Sequence, residues 1–207
     1  RPRTLAPPDV ATVLAASHGF LEAAHRLDRD TSGLLVLARS RQARAQLGRA
    51  FERGLVGKRY LAVVRGMPPR DAGEIHLPLA DDRLHPPRKR VDPILGRRAV
   101  TRWRILGGGE DAGGRVALVE LEPVTGRSHQ LRVHLAWLGC PIVGDRLYAA
   151  ADPSSSCLAL HAASVELPHP GDGRRLAISC PPPDAPAWRL VARPSGPGVD
   201  CRPGERG

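Results

Sequence analysis

The segment His25-Arg26-Leu27-Asp28-Arg29-Asp30-Thr31-Ser32-Gly33-Leu34-Leu35 carries the clearest signal in this sequence. It places one carboxylate, Asp28, beside an arginine and in a polar turn that leads directly into an apolar run. Asp, Ser, Thr and Gly favour turns for backbone reasons, and the run from Gly33 to Ala38 predicts a strand. A carboxylate at such a junction is held by a rigid element and stays open to a substrate.

The same segment allows two metal-dependent interpretations. Asp28, Asp30, Ser32 and Gly33 match the start of a calcium-binding EF-hand loop, but the twelfth position needs a bidentate glutamate and here is Arg39. The calcium interpretation therefore fails. The two aspartates also resemble the pair of a magnesium-dependent phosphohydrolase. The residues before Asp28 do not form the buried strand that such a pair follows, so this remains an alternative and not the preferred hypothesis.

Composition points to a polyanionic partner. The 207 residues suit one domain. The formal net charge is +10, and such a balance favours nucleic acid as the partner. Nearly all of the positive charge is arginine, which contacts phosphates bidentately. Aromatic residues make up only 3%, which argues against a protein that stacks successive bases of a single strand.

Several classes of protein lack support in the sequence. The four cysteines are scattered and have no spacing suited to zinc, and neither a dinucleotide-binding nor a phosphate-loop glycine motif is present. There is no apolar run of the ~20 residues that span a bilayer, and no secretory signal segment. We therefore expect a cytoplasmic protein that uses no metal or cofactor.

Strands joined by hairpins and flanked by helices predict an α+β fold, with a mostly antiparallel mixed sheet, packed helices and a central catalytic cleft. We expect a catalytic domain over residues 1–192, extended at 1–9, and a disordered tail over 193–207. Ser40 is expected to cap a helix that runs to Phe51. The other expected elements are a strand Lys58–Arg65 paired with Gly73–Leu79, an irregular basic segment 82–98, a hairpin of Val100–Leu106 and Arg115–Pro123, a helix from Thr125 or Ser128 to Gly139, and strands Leu158–Leu167 and Leu176–Ser179.

A second segment of the sequence has two interpretations. It reads Gly126-Arg127-Ser128-His129-Gln130-Leu131-Arg132-Val133-His134-Leu135. The ordinary one is an amphipathic helix with a basic outer face. In the functional one, Arg127 lies at a strand-to-helix junction, where its guanidinium can meet a carboxylate bidentately. The residues alone leave both open.

Four motifs in register resemble those of the RluA family of pseudouridine synthases. They are HRLD-x-x-TSGLL from His25, KRYLAVV from Lys58, GRSHQLRVHLAWLGCPIVGDRLY from Gly126, and LALHA from Leu158 followed by His169-Pro170. The resemblance covers residues 24–182. It implies a monomeric enzyme that isomerises uridine in structured RNA without metal or cofactor. The family's opening strand with a Lys-Pro-x-Gly motif has no counterpart here, so we expect a shortened sheet or a chain that lacks this strand.

The resemblance also implies a role for each site residue. Asp28 would attack the target uridine, and Arg127 would pair with the carboxylate of Asp28. Tyr60 would stack on the target base and is a candidate acid or base. Leu131 and Leu160 would line the pocket.

RNA contacts are implied by the resemblance and by charge. Arg26 would take the place of the flipped nucleotide. The segment from His76 to Lys89 resembles the branch that modifies both a 23S rRNA hairpin and a tRNA anticodon stem-loop. Further contacts with RNA are expected from Arg88, Lys89, Arg90 and Arg132, although a solvated run of charge is an equal alternative for the basic segment.

Overall fold

The computed structural model describes residues 10–149 and 157–191. The predictions for residues 1–9 and 193–207 lie outside this part of the chain. The helices are α1 Val10–His18, α2 Arg41–Glu52, α3 Gln130–Trp137 and α4 Pro186–Arg189. The strands are β1 Glu22–Ala23, β2 Ser32–Gly33, β3 Leu37–Ala38, β4 Gly57–Arg65, β5 Ala72–His76, β6 Leu79–Asp81, β7 Lys89–Val91, β8 Val100–Asp111, β9 Gly114–Pro123, β10 Leu160–Pro168 and β11 Arg175–Ser179.

A seven-stranded sheet forms the centre of the fold. Its strand order is β11-β10-β4-β9-β8-β5, and β2 pairs in addition with β10. The β2–β10 pair is parallel, whereas the other pairs of this sheet are antiparallel. This arrangement confirms the predicted α+β class with a mostly antiparallel mixed sheet.

The predicted pairing of residues 73–79 with β4 is wrong. Strand β5 pairs with β8, with Ile75 opposite Thr101. The edges of β4 are occupied by β9 and β10, so β5 has to extend the sheet beyond β8. The β8–β9 hairpin is confirmed but longer than expected, because Gly107–Gly109 belong to the strand and follow a register shift after Ile105.

The predicted continuous strand from Gly33 to Ala38 is also wrong. Gly33 has φ +104°, and the chain divides there into β2, which pairs with β10, and β3, which pairs with β1 in a separate sheet. Helix α2 follows as predicted. The Ser40 hydroxyl accepts a hydrogen bond from the Ala43 amide at 3.1 Å and so caps the helix.

Helix α3 begins later than predicted, at Gln130, and His129 precedes it in the left-handed conformation. The residues from Gln130 to Leu135 are all buried, so the expectation of an amphipathic helix with a basic outer face is wrong. Gly139, with φ +79°, follows the helix as predicted. Strands β6 and β7 form a short hairpin where an irregular segment was expected.

The two largest apolar clusters among the described residues join the sheet to the helices. The larger contains the buried centre of β4 and β9 with Leu131 and Leu135 of α3, and Tyr60 packs against it. The smaller joins Leu47 and Ala50 of α2 to Val165 and Leu167 of β10. Burial of this apolar surface is the main stabilising contribution to such a fold.

Candidate active site

The turn that carries Asp28 is fixed to the central sheet through Ala162. The Thr31 amide donates to the Asp28 carbonyl at 3.0 Å, which closes the turn, and the Leu34 amide donates to the Ala162 carbonyl at 3.0 Å. Gly33 pairs with Ala162 on one side of β10, and Tyr60 pairs with Ala162 on the other. The sheet register therefore brings Asp28 and Tyr60, which are distant in sequence, to the same place.

A buried histidine secures this turn. The Nδ1 atom of His161 lies 2.9 Å from the Ser32 hydroxyl, and its Nε2 atom lies 3.0 Å from the Cys180 carbonyl. Because Nε2 must donate to that carbonyl, Nδ1 of the neutral ring accepts from Ser32. Burial lowers the pKa of His161, in agreement with a neutral ring.

His25 secures the other end of the turn. Its Nε2 atom accepts a hydrogen bond from the Val36 amide at 3.0 Å, and its ring lies 5.1 Å from that of Phe51 on α2. Burial lowers the pKa of His25, and the positive charge of Lys58 lowers it further. The first residue of the opening motif is thus a neutral structural contact.

The charge of Asp28 acts on three neighbouring side chains. Burial raises the pKa of Tyr60 to about 12, and the negative charge of Asp28 adds to this rise. Asp28 also favours the charged forms of His129 and Arg132. The half-buried Asp28 carboxylate therefore lies within electrostatic range of a phenol, an imidazole and a guanidinium. The Thr31 hydroxyl, in the same turn, is buried and has no hydrogen-bond partner in the described part of the chain.

Arg127 makes a different contact from the one predicted for it. Its Nε atom donates to the Arg98 carbonyl at 3.1 Å, and none of the ion pairs within 4.0 Å among the described residues joins it to Asp28. Gln130 holds the loop in place: its side-chain oxygen accepts from the Arg127 amide at 3.0 Å and its side-chain nitrogen donates to the Val100 carbonyl at 2.9 Å. The pairing of Arg127 with Asp28 stays a prediction.

Arg132 does not fit the direct RNA contact predicted for it. Its side chain is 4% exposed and that of Asp145 is fully buried. The Nε and Nη2 atoms of Arg132 meet the two carboxylate oxygens of Asp145 at 2.8 and 2.7 Å. A guanidinium that is buried and engaged bidentately is a structural group here, not a free phosphate ligand.

The other predicted RNA-binding residues lie at the surface. Arg26 is exposed, and Arg88 is exposed with its guanidinium 5.4 Å from the Tyr148 ring centre. Arg90 pairs with Asp92 at 2.8 Å, and the Lys89 ammonium pairs with Asp81. The predicted pocket residues Leu131 and Leu160 are buried in the cluster against which Tyr60 packs.

Sequence reasoning missed two residues of this site, His129 and Tyr148. Both lie within the third quoted motif, but a left-handed histidine has no sequence signal of its own. In the part of the chain that the structure describes, no group of three or more His, Cys, Asp or Glu side chains is placed to hold a metal ion. No helix among these same residues is long and apolar enough to span a membrane.

Comparison with known proteins agrees with the motifs. Residues 15–137 match the family model described as RNA pseudouridylate synthase. A dual-specificity RNA pseudouridine synthase RluA of Haemophilus influenzae is 43% identical over 78% of this chain and 73% of its own. That of Escherichia coli K12 is 37% identical over 83% of this chain and 78% of its own.

A solved structure is similar as well. Human RNA pseudouridylate synthase domain containing 1 superposes with a TM-score of 0.75 at 29% identity and covers 87% of this chain and 77% of its own. The family match spans more than half of the chain and includes the turn of Asp28, the strand of Tyr60 and the start of α3. This chain belongs to the RluA family of RNA pseudouridine synthases.

Proposed function

We propose that this enzyme isomerises uridines in stem-loops of 23S rRNA, tRNA or both, with Asp28 as the nucleophile and Tyr60 as the support for the base. The observation that carries the proposal is the shared pairing of Gly33 and Tyr60 with Ala162. Dual specificity is a property that the RluA relatives carry in their names, and we extend it to this chain because it matches most of their length.

The chemistry needs few groups from the protein. In the isomerisation the bond between N1 and C1′ breaks, the uracil turns, and a bond between C5 and C1′ forms. The proton on C5 leaves and N1 gains one, so nothing is oxidised or hydrolysed overall. An ionised carboxylate can act as the nucleophile. The phenol of Tyr60, with its pKa raised to about 12, stays neutral at pH 7 and offers a flat face to a turning base.

Access to the uridine requires that it leave its stack, which costs a few kcal/mol. Arg26 is exposed two residues before Asp28, where a guanidinium could fill the vacated position and recover part of this cost. On entry of the RNA, Arg127 would exchange the Arg98 carbonyl for the carboxylate of Asp28. Arg88 and Arg90 on the exposed β6–β7 hairpin would contact phosphates, with Lys89 adding positive charge beside them.

The test compares matched aspartate variants. Unmodified tRNA and 23S rRNA transcripts are incubated with the enzyme in EDTA, and pseudouridine is mapped by carbodiimide-adduct primer extension. We expect product from the native chain and from Asp30→Asn, since Asp30 is exposed in the same turn, and none from Asp28→Asn. Equal RNA binding by both variants is the control for folding.

Three outcomes would contradict the proposal. Product from Asp28→Asn would remove the nucleophile assignment. Binding without product by the native chain would indicate a non-catalytic RNA-binding protein. Release of phosphate in an incubation without EDTA, if EDTA abolishes it, would indicate the magnesium-dependent phosphohydrolase. The cytoplasmic location and monomeric state that the sequence suggests remain predictions, which fractionation and sedimentation would check.

A further inference from the structure

Tyr148 lies between the β6–β7 hairpin and His129, whose pKa the charge of Asp28 affects. The buried Asp145 carboxylate accepts hydrogen bonds from the amides of Leu147 and Tyr148 at 2.9 and 3.1 Å. The same carboxylate holds Arg132 of α3. The backbone of Tyr148 is therefore tied to the helix that follows His129. Its ring lies between two guanidinium groups, 5.4 Å from that of Arg88 and 5.2 Å from that of Arg132.

The hydroxyl of Tyr148 joins two elements. It accepts a hydrogen bond from the Lys89 amide of β7 at 2.7 Å and lies 2.7 Å from Nδ1 of His129. A phenol carries one proton, and an amide N–H can only donate. If Nδ1–H of His129 were the donor, the proton of Tyr148 would have no acceptor among the described residues. The arrangement that satisfies both groups has Tyr148 donating to Nδ1, with the proton of the neutral ring on Nε2.

His129 is held in an uncommon conformation for this contact. It is the only non-glycine residue with positive φ in the described part of the chain, at φ 56°. Among the described residues its Nε2 atom has no hydrogen-bond partner. Residues in such backbone conformations persist where the surroundings fix them, and they cluster at functional sites.

Charges on several neighbouring segments act on His129. Burial lowers its pKa, Arg132 and Lys89 lower it further, and Asp28 and Asp145 oppose them. The ring is therefore neutral near pH 7. A neutral Nε2–H can donate to a carboxylate or to a uracil oxygen without forming an ion pair. An imidazolium would instead place a second cation beside Asp28, in addition to Arg127, and reduce the nucleophilicity of the carboxylate further.

We propose that Tyr148 is a positioning residue: its hydroxyl links the RNA-binding β6–β7 hairpin to His129 and fixes His129 as an Nε2–H donor beside Asp28. The link passes from the Lys89 amide through the phenol to the imidazole. This proposal rests on the proposed role of Asp28. Through this link, RNA bound at the β6–β7 hairpin would help to order His129 beside Asp28.

The first test removes only the hydroxyl. Tyr148→Phe keeps the ring between Arg88 and Arg132 and loses both hydrogen bonds. We expect kcat to fall about tenfold, which corresponds to one hydrogen bond, with less than a twofold change in KM. The acid limb of the pH profile of kcat should move to higher pH. Without the hydroxyl, Nδ1 of His129 no longer accepts a hydrogen bond from Tyr148 and can be protonated more readily.

Two variants of His129 separate its nitrogens. His129→Gln places an amide near the position of Nε2 and loses the contact with Tyr148, whereas His129→Asn keeps a group near Nδ1 and loses the Nε2 donor. We expect His129→Gln to retain more of the kcat than His129→Asn, although asparagine tolerates the left-handed backbone better. In the His129→Gln background, adding Tyr148→Phe should not move the acid limb further.

The results separate this proposal from the one on which it rests. An unmoved acid limb in Tyr148→Phe, or an equal shift in the His129→Gln background, would overturn the link through His129. Asp28→Asn tests the nucleophile separately: if it is inactive while Tyr148→Phe matches the native profile, the proposed function stands and only the link fails. If Asp28→Asn keeps its activity, the assignment of Asp28 fails whatever Tyr148→Phe does.

Discussion

Gly33 and Ala162 pair in parallel so closely that a Cβ atom added to Gly33 would lie 2.4 Å from the Ala162 carbonyl oxygen. Gly33 also has φ +104°, a region that other residues avoid. Because Ala162 is also the register partner of Tyr60, this close approach sets where Asp28 lies relative to the phenol of Tyr60. The glycine of the opening motif is thus part of the architecture of the site.

Replacing Gly33 with alanine should push the Asp28 turn away from β10. We expect Gly33→Ala to destabilise the protein by about 3 kcal/mol or more, from steric overlap with backbone atoms added to strain, and to abolish activity. The matched control is Gly54→Ala, which has φ +68° and open space around the added Cβ and should cost only about 1 kcal/mol. Urea unfolding measures both, and equal losses would contradict the close approach.

Tyrosine titration reports on the charge of Asp28 directly. The chain has only two tyrosines, and burial together with Asp28 raises the pKa of Tyr60 to about 12 from its ordinary 10.0. We expect Asp28→Asn to lower this pKa part of the way, because burial is the larger cause and remains. Ultraviolet absorbance of tyrosinate gives the values, and Tyr60→Phe assigns the transition. An unchanged Tyr60 transition in Asp28→Asn would mean that the two groups are not neighbours.

The Arg132–Asp145 pair should be far more important to stability than an exposed pair of the same geometry. Removing one member of a buried pair leaves an uncompensated charge and costs about 3–5 kcal/mol, so Arg132→Met should be strongly destabilising. Arg189 meets Asp184 bidentately at 2.8 Å, but the two side chains are 65% and 75% exposed. Arg189→Met should have little effect on stability, because water screens an exposed ion pair. Comparable losses in denaturant unfolding would argue against burial as the cause.

Stability should fall in mild acid because neutral histidines are buried. His134 is fully buried, lies between the Thr101 hydroxyl and the Leu77 carbonyl, and has its pKa lowered by burial. The folded protein thus binds this proton less readily than the unfolded chain. The free energy of unfolding should be constant above the unfolded pKa of about 6.5 and decrease as pH falls below it.

The control for this effect is His134→Gln, which cannot titrate. Its free energy of unfolding should be lower at neutral pH but should depend less on pH between about 6.5 and 5. His25, His129 and His161, whose pKa values burial also lowers, would contribute to the slope that remains. If the free energy of unfolding of His134→Gln depended on pH as steeply as that of the native chain, His134 would be excluded as a cause of the pH dependence.

Salt dependence distinguishes phosphate contacts from a merely solvated charge. If Arg88 and Arg90 contact RNA phosphates, Arg88→Gln and Arg90→Gln should each lower the slope of log affinity against log salt by about 0.7–0.9. Arg49→Gln, at an exposed position of α2, is the control and should leave the slope unchanged. Filter binding or fluorescence anisotropy across a salt series measures the slope. Equal slopes for all three variants would favour a solvated run of charge that does not contact RNA.

The sequence alone determined the features that depend on near neighbours. The Ser40 cap of α2 and the glycine after α3 express local preferences of the chain, and each was predicted and is found. The motifs also located Asp28 and Tyr60, because residues that carry one chemistry recur together in a family. What they do in this chain is still a proposal.

Only the tertiary structure decided which distant segments meet. Strand β5 pairs with β8 because neighbouring strands occupy both edges of β4, and the predicted strand 33–38 divides because its two ends pair with different sheets. Arg132, which was expected to contact RNA, is buried and pairs with Asp145. His129 adopts a left-handed backbone conformation and lies next to Tyr148. Local sequence sets what each segment prefers, whereas free strand edges and the burial of charge depend on the whole chain.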